Sequence, residues 1–274
     1  MSSLKPCPAC RALIDSTERL CPYCGAAADR KSVREVHLSA SDNPGMVTGW
    51  LIGICILFFV LEMVATLGAL GGKGLWAALM NVPGGLLFEM GARSTPRILA
   101  GEWWRLIVPI FLHGNFLHLL FNSMALIQAG PLAEQAYGRP RFILIFILSG
   151  ALGFLLGAWT SPTNISIGAS GSLFGLIGAA GLYGHRRGDA FGKMIRGSMI
   201  QWGLYALLFG LLIRADNAAH LGGLVSGIAL SFLMGDRNGR GDERLWTALA
   251  WVAVVVTLAA IGLGVAAYLG SASG

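Results

Sequence analysis

Long runs of hydrophobic residues, separated by short polar segments, make up most of this chain. A helix that crosses a bilayer needs about 20 apolar residues, and seven runs approach that length. They cover roughly residues 47–70, 115–133, 141–160, 170–184, 198–213, 217–234 and 245–269. The pattern therefore predicts an all-α polytopic membrane protein with seven transmembrane helices, of which the fourth and fifth are short.

The composition supports the same class of protein. Of the 274 residues, 55% are hydrophobic and only 12% are charged, whereas about a quarter of the residues of a soluble domain are charged. The net charge of +6 is compatible with nucleic-acid binding. However, the basic residues gather in short loops between apolar runs, which is how orientation in a membrane is encoded. We therefore expect the lipid bilayer, and no nucleic acid, as a partner.

The distribution of basic residues also predicts how the helices cross the membrane. If the N-terminus is cytoplasmic, most of the 20 lysines and arginines lie on the cytoplasmic side. The outer segments then hold only Lys73, Arg93, Arg97, Arg105 and Arg214. Because positive charge favours the cytoplasmic side, we expect a multi-pass protein, such as one of a bacterial inner membrane, with its N-terminus inside and its C-terminus outside. The second, fourth and sixth helices then begin at the outer surface.

Residues 1–28 contain a cysteine pattern and no hydrophobic run, so we expect neither a signal peptide nor a membrane span there. Two CxxC pairs, ten residues apart, are formed by Cys7, Cys10, Cys21 and Cys24. Four thiolates at this spacing can bind one Zn²⁺, and so short a segment needs the metal to fold. An iron site would use the same ligands, whereas two disulfides are disfavoured in the cytoplasm.

We therefore expect residues 1–28 to be a zinc-ribbon-like module with a structural zinc ion. A cytoplasmic protein is its possible docking partner. Residues 29–46 are polar and rich in turn-forming residues, and they are expected to form a linker.

Four polar residues interrupt the predicted transmembrane helices near their outer ends. His118 and Asn122 lie on one face of the second helix, Ser170 begins the fourth, and His220 lies early in the sixth. Such residues are costly in a bilayer and are candidates for function. They share one depth if the orientation above is correct. Glu62, in the first helix, is an outlier without an explanation in the sequence.

Small residues lie next to both Ser170 and His220 and recur at intervals of four, which places them on one face of each helix. The two stripes consist of Gly171, Gly175 and Ala179 in the fourth helix and of Ala219, Gly223 and Gly227 in the sixth. Stripes of this kind let helix backbones approach closely in a membrane. The spacing therefore predicts that these helices pack together and that Ser170 and His220 lie within hydrogen-bonding distance.

A serine beside a histidine can act as a nucleophile, since the imidazole removes the hydroxyl proton and later protonates the leaving group. The backbone N–H of Ser170 and the side chains of His118 and Asn122 could stabilise the oxyanion. Each feature also has a structural explanation: glycines and serine for packing, His118 and Asn122 for an interhelical hydrogen bond. Asp216, four residues before His220, is expected to be a surface residue or a helix cap. The conjunction of the polar residues favours a site.

The motifs resemble those of the rhomboid family of intramembrane serine proteases, over roughly residues 47–235. They are GEWWR at 101–105, His113 with HLLFN at 118–122, GASG at 168–171 and AHLGG at 219–223. The resemblance implies a six-helix core, with Ser170 as nucleophile, His220 as base, and His118 and Asn122 lining the oxyanion hole.

The resemblance also assigns structural positions around that core. It implies structural roles for Gly168, Gly171, Gly175 and Gly223, and it places Trp104 and Arg105 in a long first outer loop. Phe174 is expected to stack on the catalytic histidine. Residues 236–274 would add a cytoplasmic loop, a seventh helix and a short tail.

The activity implied is cleavage of single-pass membrane proteins within a transmembrane segment near the outer face, with no catalytic cofactor. A non-catalytic rhomboid-like protein that binds membrane helices is the alternative, but such relatives lack the serine or the histidine. A transporter or channel would call for ionisable groups along a path through the bilayer, whereas these polar residues cluster near one face.

Overall fold

The computed structural model describes residues 4–7, 13–15, 17–18, 20–23, 26, 44–69, 74–213, 215–237 and 242–272. The chain divides into two compact units, Met1–Asn43 and Pro44–Gly274.

The smaller unit contains a short antiparallel hairpin. Strands β1 (Leu4–Pro6) and β2 (Leu13–Asp15) pair with Leu4 opposite Asp15. Cys7 and Cys21 are both buried, together with Ile14 of β2. Cys10 and Cys24 lie outside the described residues. In the part of the chain that is described, no group of three or more His, Cys, Asp or Glu side chains could hold a metal, so the four-cysteine zinc site remains a prediction.

The larger unit is helical. Its helices are α1 (Met46–Ala69), α2 (Leu75–Met80), α3 (Gly84–Glu89), α4 (Thr95–Leu99), α5 (Phe116–Thr160), α6 (Ser170–Arg187), α7 (Ala190–Leu212), α8 (Asn217–Met234) and α9 (Glu243–Ala272). Two 3₁₀ helices, Trp103–Leu106 and Val108–Ile110, precede α5. In its described part, residues 74–115, the long loop between α1 and α5 thus contains three short α-helices and two 3₁₀ helices.

The second and third predicted helices form the two arms of α5. This 45-residue helix is interrupted at Gly138, where φ is 75° and ψ is 160°. Glycine adopts this backbone conformation without a steric penalty, and Pro140 then offers no N–H for a helical hydrogen bond. The polar segment at 134–137 continues the first arm and is not a loop.

By length and composition, five helices of the described residues could cross a membrane: α1, α5, α7, α8 and α9 up to Ser271. The kinked α5 is one helix in this set, although it contains two of the seven predicted runs. Helix α6 is not in the set, because its glycine, serine and basic residues lower its mean hydropathy. The protein is therefore an integral, multi-pass membrane protein, while the number of seven spans remains a prediction. Its orientation in the membrane likewise remains a prediction.

Helix α7 begins at Ala190, well before the predicted start at 198. The side chain of Asp189 accepts a hydrogen bond of 2.7 Å from the N–H of Gly192, and such a cap stabilises a helix N-terminus. Basic residues in the first turns made this part of the helix look like a loop in the sequence.

The predicted packing of the two small-residue stripes is confirmed. Gly223 and Gly227 of α8 lie against Gly171 and Gly175 of α6, so closely that a Cβ on either α8 glycine would collide with the α6 backbone. Helix α5 also packs closely against α8. A Cβ on Gly153 of α5 would lie 2.6 Å from the carbonyl oxygen of Ala219. At these glycines the backbone of α8 thus lies in direct contact with the backbones of α5 and α6.

Helix α9 packs against the rest of the unit at two levels. Near its start, Glu243 accepts a hydrogen bond of 2.7 Å from the fully buried Arg141 of α5. Further along, Gly264 lies beside Trp104 and Val108 of the loop between α1 and α5. The C-terminal helix therefore contacts both the helical bundle and that loop.

Candidate active site

Ser170 is the first residue of α6 and follows a tightly constrained segment. Gly168 has φ of 109°, which disfavours residues with a side chain. A Cβ at Gly168 would also lie 2.5 Å from His118 Nε2. The N–H of Gly168 donates to the carbonyl of Pro109 at 2.8 Å. Only glycine therefore satisfies both the backbone conformation and the close approach of His118.

His220 of α8 contacts Ser170 directly, as the helix packing predicted. Ser170 Oγ lies 2.8 Å from His220 Nε2, and His220 is only 6% exposed. The ring of Phe174 stacks on the imidazole, with centroids 4.6 Å apart and planes at 18°. The prediction of a hydrogen-bonding distance between serine and histidine is confirmed.

Asn217 holds the other nitrogen of His220, a contact that sequence reasoning missed. Its Oδ1 lies 3.0 Å from His220 Nδ1. An amide oxygen only accepts hydrogen bonds, so Nδ1 carries the proton and Nε2 is free to accept from the Ser170 hydroxyl. The signal was present in the sequence, because a residue three positions before His220 lies on the same helical face.

Asp216 caps α8, which is one of the two roles expected for it, and has a second partner that the sequence did not indicate. Its Oδ1 accepts a hydrogen bond of 3.0 Å from the N–H of Ala219. Its Oδ2 lies 3.0 Å from Nη2 of Arg93, a residue of the loop before α4.

His118 and Asn122 lie beside the segment that precedes Ser170. The Nδ2 of Asn122 donates to the carbonyl of His118 at 3.0 Å, so this amide is oriented by its own helix. A Cβ on Gly168 would lie 3.6 Å from the same Nδ2. The side chain of Asn115 accepts from the His118 N–H at 2.8 Å and caps α5. Two potential hydrogen-bond donors are thus held next to the turn that leads into Ser170.

Glu62, unexplained by the sequence, binds the chain just before α5. Its carboxylate is fully buried and accepts from the backbone N–H of His113, at 3.1 Å to Oε1 and 3.3 Å to Oε2. The ring of His113 packs edge-on against His118, with centroids 5.0 Å apart. Burial lowers the pKa of His113 to about 3, so this imidazole is neutral at physiological pH. Glu62 therefore fixes the residue that supports His118.

An open cleft reaches Ser170 between the N-terminal end of α5 and the C-terminal end of α7. Its apolar walls include Leu117, Phe121, Phe209 and Ile213. Polar residues of the neighbouring loop, Ser161, Thr163 and Asn164, line it as well. The cleft could accept an apolar chain segment while also admitting water.

Arg105 organises the loop between α1 and α5, and the neighbouring Trp104 lies beside Gly264 of α9. The guanidinium of Arg105 is buried and donates to the carbonyls of Phe88 at 2.6 Å and Ala92 at 3.0 Å. It also pairs with Glu102 at 2.5 Å. These contacts hold the loop together and include neither Ser170 nor His220, in line with a structural role.

Comparison with known proteins identifies the family. The Rhomboid domain matches residues 100–237, half of the chain, and this stretch contains Ser170, His220, His118 and Asn122. The chain belongs to the rhomboid family. Rhomboid relatives include proteins named as proteases, so the family is one of intramembrane proteases.

Two of these relatives come from Bacillus subtilis (strain 168). Rhomboid protease GluP is 34% identical over 192 residues, which cover 68% of this chain and 38% of GluP. Putative rhomboid protease YdcA is 39% identical over 142 residues, 51% of this chain and 71% of YdcA. RHOMBOID-like protein 5 of Arabidopsis thaliana is 34% identical over 166 residues, 54% of this chain and 49% of that protein. The chain thus spans less than half the length of GluP and of this plant relative.

Proposed function

We propose that this rhomboid protein is an intramembrane serine endopeptidase that uses a Ser170–His220 dyad. The observation that carries the proposal is the 2.8 Å separation of Ser170 Oγ and His220 Nε2. Ser170 Oγ attacks the scissile carbonyl as its proton passes to Nε2, and the same proton then goes to the leaving amine. Water attacks the resulting ester, with His220 again as base, and releases Ser170.

The oxyanion formed in each step needs hydrogen-bond donors. The backbone N–H of Ser170 is suitable because the first N–H groups of a helix have no intrahelical acceptor. We assign the second and third donors to His118 and Asn122, whose side chains lie beside Gly168. Each such donor contributes on the order of 100- to 1000-fold in rate.

The substrates we propose are single-pass membrane proteins. Their helices enter the cleft between α5 and α7, and the scissile segment unwinds, since helical hydrogen bonds otherwise cover its carbonyls. With the orientation inferred from the basic residues, cleavage occurs near the outer face of the membrane. The polar lining at Ser161 and Thr163 supports access of water to this site.

We also propose that residues 1–28 hold a zinc ion through Cys7, Cys10, Cys21 and Cys24. Cys7 and Cys21 are only 1% and 2% exposed, and they form a buried cluster with Ile14 among the described residues of this unit, which supports the proposed metal. Zinc bound by four thiolates has no open coordination position, so its contribution would be to folding. We also propose that a cytoplasmic protein docks on this module.

The dyad is tested with Ser170→Ala and His220→Ala in the purified, full-length protein. Both variants should lose cleavage of a reporter transmembrane segment in liposomes, and Ser170→Ala should lose covalent labelling by a fluorophosphonate probe. Ser172→Ala is the matched control, because Ser172 lies in the same helix and its buried hydroxyl has no hydrogen-bond partner among the described residues. Cleavage by Ser170→Ala at the wild-type rate would falsify the assignment, and a wild type that binds helices without labelling would favour the non-catalytic alternative.

A further inference from the structure

Arg93, which lies between α3 and α4, is fully buried although it carries a charge. It is outside the residues assigned above to catalysis. A buried charge is retained only when it is paired and hydrogen-bonded, so the partners of this guanidinium indicate what it holds together.

The side chain of Arg93 joins the end of α5 to the start of α8. Its Nη1 donates to the carbonyl of Ser161 at 2.9 Å and to that of Gly157 at 3.3 Å. Its Nη2 pairs with Asp216 Oδ2 at 3.0 Å. The planar guanidinium can bind these acceptors simultaneously because its donors point in fixed directions.

The backbone of Arg93 binds the segment that leads to the proposed nucleophile. Arg93 and Ser166 form an isolated antiparallel bridge, with N–H to carbonyl distances of 2.9 Å and 3.3 Å. Ser166 is followed by the constrained Gly168 and then by Ser170. Through its main chain, Arg93 therefore holds in place the segment that precedes Ser170.

Asp216 links the side chain of Arg93 to His220, the proposed base. One carboxylate oxygen binds Arg93, the other caps α8 through the N–H of Ala219, and the carbonyl of Asp216 accepts from the N–H of His220 at 3.1 Å. A shift of Asp216 would therefore displace the first turn of α8, and His220 with it.

We propose that Arg93 and Asp216 form a positioning pair that sets the distance between Ser170 and His220. Arg93 holds the Ser170 segment through its backbone and the His220 helix through its side chain, and neither residue touches the reacting atoms. The proposal rests on the proposed protease function, because it assigns this contact a role in the activity of the dyad.

A second arginine and capping aspartate in the chain provide a matched control. Asp189 caps α7 through the N–H of Gly192, and Arg187 pairs with it at 2.8 Å. The two side chains are 40% and 48% exposed, and exposed pairs of this kind contribute little to stability. The pair lies at the far end of α6 from Ser170.

The decisive variant is Asp216→Asn in the full-length protein. Asparagine caps a helix as well as aspartate does, so α8 keeps its N-terminal cap while the ion pair is lost. The buried guanidinium of Arg93 is then left without its carboxylate partner, so the melting temperature should fall, and rates are compared at a temperature where both proteins remain folded. We expect kcat for the reporter and the rate of fluorophosphonate labelling to fall on the order of 10-fold or more, since small misplacements of reacting groups are costly. KM should change little, because Asp216→Asn keeps the size of a side chain that lines the cleft and leaves the apolar walls unchanged.

Variants of Arg93 complete the test. Arg93→Met should lose at least as much activity, Arg93→Lys should restore part of it, and Arg93→Met combined with Asp216→Asn should be no slower than Arg93→Met alone. Arg187→Met and Asp189→Asn should both keep the wild-type labelling rate. Wild-type rates in Asp216→Asn, or a double variant whose loss is the product of the single losses, would overturn the positioning pair.

Hydrogen exchange separates this proposal from the protease assignment. Arg93→Met should accelerate amide exchange in residues 166–170 and 217–220, and Arg187→Met should not. If the wild type neither labels nor cleaves, the protease function fails, and the exchange data alone decide whether Arg93 holds both segments. Unchanged exchange in these segments overturns the pair whatever the activity.

Discussion

His220 is held on two sides in the absence of substrate. Asn217 accepts the hydrogen bond from Nδ1 at 3.0 Å, and Phe174 stacks on the ring face. A fixed ring keeps Nε2 directed at Ser170, so no free energy is needed to orient it when the reaction begins. In the proposed mechanism Asn217 has the orienting role that a carboxylate has in a catalytic triad.

Asn217→Ala should therefore slow the chemical step without weakening substrate binding. General base catalysis contributes about 100- to 10,000-fold, and loss of ring orientation should remove a part of this, on the order of 10-fold in kcat. The measurement is kcat and KM for the reporter, together with the labelling rate. Asn217→Asp keeps an acceptor and should retain more activity than the alanine variant. Gln201→Ala, which removes an exposed hydrogen bond to Tyr205, is the control, and equal rates in all three variants would contradict the role.

The residues of the site could be predicted from sequence only where a periodic pattern links them. Ser170 and His220 were predicted to meet because each lies next to a stripe of small residues. Arg93 and Asp216 are 123 positions apart, and Glu62 is 51 positions from His113. Such contacts depend on how the irregular loop between α1 and α5 packs against the helices. The spacing of residues along the sequence does not predict that packing.

At the level of the helices, the activity we propose depends on the close approach of α6 and α8. Gly223 and Gly227 remove side chains from the face that meets α6, and the two backbones touch there. In a bilayer, where lipid is as apolar as leucine, such close packing is a main source of helix association.

Gly227→Ala tests this contact two turns away from His220. The new Cβ would collide with the backbone of Gly175, so α8 has to move outward. Overpacking of this kind typically costs about 1 to 3 kcal/mol. We expect a lower melting temperature together with a lower labelling rate of Ser170.

The matched control for Gly227→Ala is Gly53→Ala in α1. A Cβ at Gly53 meets nothing within 4 Å, and alanine favours helix formation over glycine. This variant should keep or slightly raise the melting temperature. If Gly227→Ala behaved in the same way, the approach of α6 and α8 would not require a glycine at this position.

Helices were predictable where the apolar runs are long, and less so where packing or capping replaces hydropathy. The arms of α5 and the helices α1, α8 and α9 correspond to predicted runs. The start of α7 was missed because Lys193 and Arg196 make its first turns polar. The short helices between residues 75 and 110 are only three to six residues long, too short for a hydrophobic period to appear.

Considered as a whole, the protein keeps its proposed chemistry and its proposed metal in different units. Every residue assigned to the dyad, the oxyanion hole and the positioning pair lies in Pro44–Gly274, whereas the cysteine pattern lies in Met1–Asn43. Because zinc bound by four cysteines would act through folding, its loss should affect the smaller unit alone.

Cys7→Ser together with Cys21→Ser tests this separation. The purified wild type should contain about one zinc ion per chain, measured by elemental analysis, which also distinguishes zinc from iron. The double variant should contain almost none, because two of the four proposed ligands are lost. Cys55→Ala, which changes a buried cysteine of α1, should leave the metal content unchanged.

Labelling of Ser170 should stay within about two-fold of wild type in both variants, since no catalytic step uses the metal. A wild type without metal would remove the zinc proposal, while loss of labelling along with the metal would show that the two units depend on each other.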